Sequence, residues 1–275
     1  MSNYDLTSVE QVKNFLREDY QGTGKLAGKV VLVTGGGTGI GRSVSMHAAT
    51  EGADIAITSH TSSGEQALSV KKWVEDLGRT CRVYEVDLSD KDACYKFADD
   101  VLKDFGRVNV LVSNAGMQSP KDDLTKVSDE QWEKVFDVNV DAMFYLSKAL
   151  LPQFESGDSI INMSSVNAYV GLKELVDYSA TKGAMNSFTR ALSNQVAHKG
   201  IRVNSIAPGP IWTPIQNTWG QIDKSKIDDL GKDTPMQRAG LPCEIGPSFV
   251  FLASKDGSYI TGQTLHINGG IMVNG

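Results

Sequence analysis

At 275 residues, with 40% hydrophobic and 22% charged residues, the chain is long enough for one large α/β domain or two small ones around a sizeable core. A formal charge of −6 with no basic block argues against a nucleic-acid partner. No apolar run reaches membrane-spanning length, the opening residues are no secretory leader, and three scattered cysteines (Cys81, Cys94, Cys243) lack metal-ligand spacing. The expectation is a reduced, cytoplasmic protein with no metal and no membrane partner.

Residues 1–25 form an arm ahead of the first core strand. Leu6, Val9, Val12, Phe15, Leu16 and Tyr20 recur at helical spacing, with Thr7 and Glu10 as a capping box. The arm is too small for a domain and is expected to pack on the body or on a neighbouring subunit. From Lys29 a strand–turn–helix pattern repeats to the end, so residues 26–275 read as one domain. Apolar runs at 30–33, 55–57, 83–86, 108–112, 160–163, 203–206 and 265–267 are strands buried on both faces. Amphipathic stretches at 65–77, 91–105 and 129–154 are the helices between them. This alternation predicts a doubly wound, mostly parallel sheet covered by helices on both faces. Ligands in such sheets bind beyond the carboxyl ends of the strands, near the point where strand order reverses.

The motifs fall at those ends. Thr34-Gly35-Gly36-Gly37-Thr38-Gly39-Ile40-Gly41 follows the first strand and opens a helix near Arg42, a context that suits a dinucleotide pyrophosphate. After the second strand stand Ser59 and His60, then Thr61 and Ser62, where NAD-preferring enzymes place an acid. With no carboxylate to repel a 2′-phosphate, NADP(H) is favoured and NAD(H) stays open. Asp87-Leu88 ends the third strand, where a carboxylate can accept from an adenine amino group, and Asn114-Ala115-Gly116 ends the fourth. Helix 129–154 begins with Ser128 and Gln131 in capping-box relation. Asn139 lies inside it, where asparagine is a poor helix former that marks an accident, a buried water or a kink. Ser165 follows the fifth strand, thirteen residues before Tyr178.

Tyr178 and Lys182 are four residues apart, so on a helix they share a face. An ammonium about 4 Å from a phenolate is worth roughly 4 kcal/mol at an effective dielectric of about 20. That would lower a tyrosine from about 10 by roughly three units, before desolvation takes some back. Such a tyrosine can exchange a proton with an alcohol or carbonyl oxygen near neutral pH. The same spacing occurs on many surface helices, and its surroundings decide. The helix continues to Lys199-Gly200, and the polar, irregular segment 211–235 reads as a substrate lid. Met117, Gln118, Asn167, Tyr169, Trp212 and Trp219 are candidate pocket residues.

Together the glycine loop, Asn114-Ala115-Gly116, Asn139, Ser165, Tyr178, Lys182 and Pro208-Gly209 resemble the one-domain short-chain dehydrogenase/reductase superfamily. Within it, residues 207–214, the tail 269–275 and the arm are similar to a bacterial subgroup of general-stress oxidoreductases or aldehyde reductases, the glucose/ribitol-dehydrogenase-like proteins. The resemblance implies a Rossmann-type, seven-stranded sheet of order 3-2-1-4-5-6-7 and an NAD(P)(H)-dependent alcohol/carbonyl oxidoreductase. Tyr178 would be its acid/base. Lys182 would hold the nicotinamide ribose, Ser165 would polarise the substrate oxygen, and Asn139 would anchor a water in proton relay. Pro208, Gly209, Ile211 and Thr213 would contact the nicotinamide end. It further implies a homotetramer with helices 129–154 and 178–199 and the tail at interfaces. Ser59-His60 departs from the acid or tyrosine that the subgroup often carries there, which leaves cofactor choice open. A non-catalytic NAD(P)-binding sensor is the alternative. A sugar-nucleotide epimerase would need a larger C-terminal substrate domain and a differently spaced glycine loop.

Overall fold

The computed structural model describes residues 14–60, 64–221 and 228–273, with side chains of 219–221 left aside. Strands β1 (Val30–Val33), β2 (Asp54–Ser59), β3 (Cys81–Glu85), β4 (Val110–Ser113), β5 (Ser159–Met163), β6 (Arg202–Pro208) and β7 (Thr264–Ile267) form one sheet. Every pairing is parallel and the order is β3-β2-β1-β4-β5-β6-β7. Strand order therefore reverses between the adjacent strands β1 and β4. The helices are α1 (Gly39–Thr50), α2 (Gly64–Asp76), α3 (Lys91–Phe105), α4 (Asp129–Phe136), α5 (Ala142–Leu150), α6 (Asn167–Val170), α7 (Val176–Val196) and α8 (Pro242–Ala253).

The period of two along each strand builds two cores. Val31, Val33, Ile55 and Ile57 face Val44, Val70, Val74, Ile245 and Phe249 of α1, α2 and α8. Leu32, Ala56, Leu111, Ile160 and Val203 face Phe97, Val101, Leu146, Leu150 and Val196 of α3, α5 and α7. Both faces being covered, β1, β4 and β5 are buried throughout. Each fully buried aliphatic side chain here contributes roughly 1.5–3 kcal/mol.

Three expectations are corrected, and one helix was not foreseen. Stretch 129–154 is not one α-helix: α4 and α5 are joined by a π turn, Asp137–Asp141, with Asn139 inside it, and a 3₁₀ turn, Leu151–Gln153, closes it at Pro152. Helix α1 begins at Gly39, not near Arg42. Helix α8 went unrecognised because Pro247 sits inside it, where proline normally breaks a helix. Gly246 lets it press on α1, for a Cβ there would lie 2.2 Å from His47 Nδ1. Segment 211–235 is not irregular throughout, since Pro214–Gln221 forms a 3₁₀ turn.

The arm's capping box, Thr7 and Glu10, lies outside the described residues, and residues 14–25 form turns without an α-helix. They pack on the body along α1. Phe15 is 8% exposed, its carbonyl accepts from Ser43 Oγ at 2.7 Å, and its ring lies 4.4 Å beneath the Arg42 guanidinium. Glu51, at the far end of α1, accepts from Tyr20 Oη at 2.7 Å, Thr23 N at 2.9 Å and Lys25 N at 3.0 Å. With Thr23 Oγ1 at 3.4 Å, one carboxylate thus accepts from four donors of the arm. Glu51→Ala is expected to cost about 2–3 kcal/mol, a melting temperature lower by roughly 5 °C in calorimetry.

Candidate active site

The glycine loop bridges β1 and α1. Gly35 (φ +64°) and Gly39 (φ +50°) adopt left-handed backbone that other residues resist. Helix α1 opens at Thr38 without a side-chain cap and without an acid in its first turn, leaving its N–H groups and positive dipole end to an anion. Asn114 locks the loop to β4: its Nδ2 donates to Thr34 O at 2.9 Å, while Thr34 Oγ1 accepts from the backbone N–H groups of Asn114 and Ala115. A Cβ on Gly41 would lie 2.2 Å from Gly35 O, so the loop is closed by contact as well as by torsion.

Ser59 is buried at the end of β2 and His60 is exposed beside it, while Thr61 and Ser62 lie outside the described residues. Asp87 is exposed; its Oδ1 accepts from Ser89 Oγ at 2.6 Å and Ser89 N at 2.9 Å, with Lys134 Nζ 3.6 Å away. The Ser89 hydroxyl, then its N–H, holds this carboxyl below the usual range. Leu88 is buried in the core cluster on the α3 face.

Beyond the ends of β4 and β5, Asn139, Ser165, Tyr178 and Lys182 come together. Lys182, 2% exposed, donates to Met163 O at 2.7 Å, and its Nζ lies 5.2 Å from the Tyr178 ring centroid. Ser165 accepts from Asn167 N at 3.1 Å and lies close enough to the half-buried Tyr178 to favour its charged form. Asn139 is buried, accepting from Met117 N at 2.8 Å and donating to Met117 O and Thr181 Oγ1, both at 3.0 Å. Gly116 stands where a Cβ would meet Asn139 Oδ1 at 3.3 Å and Lys182 Nζ at 3.5 Å. Asn139 is therefore neither a surface accident nor a simple kink; the π turn aims its amide at the segment after β4.

The protonation states differ from the Coulomb expectation. Burial pushes Tyr178 up to about 12, with the Ser165 hydrogen bond pulling slightly the other way. Burial also brings Lys182 down to about 7. In the protein alone desolvation outweighs the attraction between the two charged forms.

The other candidates separate. Pro208 ends β6, and Gly209 donates its N–H to Ile267 O at 3.0 Å. Ile211 bridges to Gly240, Trp212 N donates to Gly240 O, and Thr213 is buried against Gly39. Asn167 opens α6 beside Ser165, whereas the Tyr169 ring sits edge-on to His266, 4.8 Å between centroids. Gln118 is directed at residues 215 and 218. The side chain of Trp219 lies outside the described residues.

Three contributors escaped the sequence reading. Thr181 holds Asn139 and donates to Tyr178 O. Gln131 was read as half of a capping box; its N–H does donate to Ser128 Oγ at 3.1 Å, but its side chain reaches Ser119 O and Asp177 instead. Asp177, 1% exposed, also accepts from Tyr178 N at 2.7 Å. An acid directly before the tyrosine was the available signal.

A lysine whose folded pKa lies near 7 is penalised while the unfolded chain binds more protons. The penalty is fully present below pH 7 and is relieved as pH rises from 7 toward 10.5. Lys182→Met should therefore raise the melting temperature at pH 6 by about 2 °C or more, and the gain should shrink by pH 9. Calorimetry at the two pH values checks both parts.

Among the described residues no cluster fits a metal ion and no helix is long and apolar enough to cross a membrane. The family described as enoyl-(acyl carrier protein) reductase matches residues 35–272. General stress protein 39 of Bacillus subtilis is 44% identical, covering 93% of this chain and 88% of that protein. An Arabidopsis thaliana protein named NADPH-dependent aldehyde reductase 1, chloroplastic, is 42% identical over 97% of this chain and 94% of its own length. A Burkholderia cenocepacia short-chain dehydrogenase solved in complex with NADP superposes with a TM-score of 0.83 at 30% identity, covering 90% of this chain and 98% of that one. With this fold, these strand-end residues and relatives matched along nearly their whole length, the chain belongs to the short-chain dehydrogenase/reductase family of oxidoreductases.

Proposed function

We propose that the chain is an NADP(H)-preferring oxidoreductase that interconverts small alcohols with their aldehydes or ketones, free sugars and polyols included, using Tyr178 as acid/base. The observation that carries this reading is the meeting of Ser165, Tyr178, Lys182 and Asn139 at the carboxyl ends of β4 and β5, beside a glycine loop at the point where strand order reverses. The cofactor reading rests on the positive-φ loop at the start of α1 and on Ser59-His60 where an acid would repel a 2′-phosphate. It is supported by NADP or NADPH in two similar structures and by the name of the Arabidopsis relative. The substrate class is supported by the names of relatives, an NADPH-dependent aldehyde reductase and a glucose and ribitol dehydrogenase.

When bound, the cofactor supplies the hydride donor or acceptor and, in its oxidised form, a positive charge. The chain supplies the rest. Ser165 orients the substrate oxygen, and Tyr178 delivers a proton to it in reduction or takes one in oxidation. Lys182 returns the proton to Tyr178 from the side of Asn139, whose amide is fixed by Met117 and Thr181. A phenol with a pKa near 12 is already in its acid form at neutral pH, so reduction suits the resting site. Oxidation needs the phenolate and should gain up to about tenfold per pH unit below the pKa of the working complex.

The apolar recess on α5 and α7, about 550 Å³ and lined by Phe144, Leu151, Phe188 and Leu192, supports assembly of a homotetramer through that face. Phe144→Glu should shift the mass seen by light scattering toward smaller species.

A panel of aldehydes, ketones, alcohols and sugars with NADPH, NADP⁺, NADH and NAD⁺ tests the reading. Tyr178→Phe should lower turnover by about 10²–10⁴-fold and leave NADPH affinity within about threefold. Retained turnover would overturn the role of Tyr178. Wild-type binding without any turnover would instead favour a sensor.

A further inference from the structure

Gln118 is flanked by residues pinned to the catalytic centre. Met117 exchanges two hydrogen bonds with Asn139. Ser119 O accepts at 3.0 Å from Gln131 Nε2, which also donates at 2.7 Å to Asp177, the neighbour of Tyr178. Between them Gln118, 7% exposed, directs its amide away from this network. Its Nε2 donates to Thr218 Oγ1 at 3.0 Å and to Ile215 O at 3.3 Å. Both acceptors lie in the 3₁₀ turn after Thr213. At the other end of that stretch, Thr213 and Pro214 rest on the glycine loop: a Cβ on Gly39 would lie 3.2 Å from Thr213 Cγ2 and 3.6 Å from Pro214 Cδ. Residues 213–218 therefore run from the loop after β1 to the segment after β4, the adjacent strands between which order reverses.

We propose that Gln118 is the latch that holds residues 213–218 closed across the dinucleotide groove, a positioning residue that ties this strap to the segment fixed by Asn139. The proposal rests on the oxidoreductase reading above. The chemistry suits a reversible closure. One amide nitrogen carries two N–H donors, and the strap offers one carbonyl and one hydroxyl to receive them. Each neutral hydrogen bond shifts an equilibrium by a factor of about 2–12, so the pair biases the strap by roughly 5–100-fold. That is enough to keep it closed and small enough to release product each cycle. A carboxylate at this position lacks both donors, whereas Thr218→Val keeps the shape but removes one acceptor together with the Thr218 Oγ1 bond to Ile215 O at 2.8 Å.

The test is NADPH release by stopped-flow fluorescence, with steady-state reduction of an aldehyde, in wild type, Gln118→Ala, Gln118→Glu, Thr218→Val and the Gln118→Ala/Thr218→Val pair. Both Gln118 variants should release NADPH about 5–30-fold faster and raise KM for the aldehyde comparably, with kcat changed less than about threefold. Thr218→Val should show a smaller effect, and the double variant should match Gln118→Ala. Melting temperatures of the Thr218→Val and Gln118→Glu proteins within about 3 °C of wild type separate the latch from a general loss of fold. Wild-type release rates in the Gln118 variants, or fully additive effects in the double variant, would overturn the latch while leaving the enzyme reading intact. A wild type that neither binds NADPH nor reduces any aldehyde would overturn that reading and the latch with it.

Discussion

The site depends on taking one ammonium out of water. Lys182 is all but inaccessible, with a single carbonyl, Met163 O, as its oxygen partner among the described residues. Burial alone brings it near neutrality, while the same burial keeps Tyr178 protonated. Both groups are held in the forms that cost least in a dry site, a phenol and a weakly basic amine. In the proposed mechanism a proton passes between them, and the charge of the bound cofactor sets its direction. The arrangement sacrifices stability at Lys182 and, in the proposed mechanism, yields a proton-transfer group near pH 7, the trade expected where function and folding compete for one residue.

That desolvation is produced by the sheet. Because β1, β4 and β5 are covered on both faces, their carboxyl ends emerge from a packed interior, and the residues that follow them are partly buried from the start. The π turn between α4 and α5 adds one element that regular helix could not. Widening the turn at Asp137–Asp141 seats Asn139 with all three of its hydrogen bonds directed at Met117 and Thr181. π turns of this kind are costly and concentrate at functional sites, and this one joins the β4 end to α7.

The parallel, doubly wound sheet and the strand-end motifs were legible because continuous apolar runs and glycines carry them directly: Val30–Val33, the loop to Gly41 and Ser165 stand where strand counting puts them, whereas the order of the strands followed only from the family resemblance. What stayed hidden was set by tertiary contact. Pro247 masked α8, since no local rule tells that its lost hydrogen bond is offset by packing against α1. Gln131 carried a cap signature, yet its side chain is claimed by Asp177 across the chain. The sign of the Tyr178 shift was missed for a similar reason. Spacing gives the proximity of Lys182 but not the depth at which the pair is buried, and depth decides between Coulomb attraction and desolvation.

The central claim is that buried Lys182 and half-buried Tyr178 are unactivated in the protein alone and, in the proposed mechanism, become competent when oxidised cofactor binds. Ultraviolet difference titration of wild type against Tyr178→Phe, with and without NADP⁺, measures it at the phenol itself. The account predicts no Tyr178 phenolate below about pH 11 without cofactor and a clear downward shift with it. A phenolate signal near pH 8 in the cofactor-free protein, or a titration that NADP⁺ does not move, would contradict it.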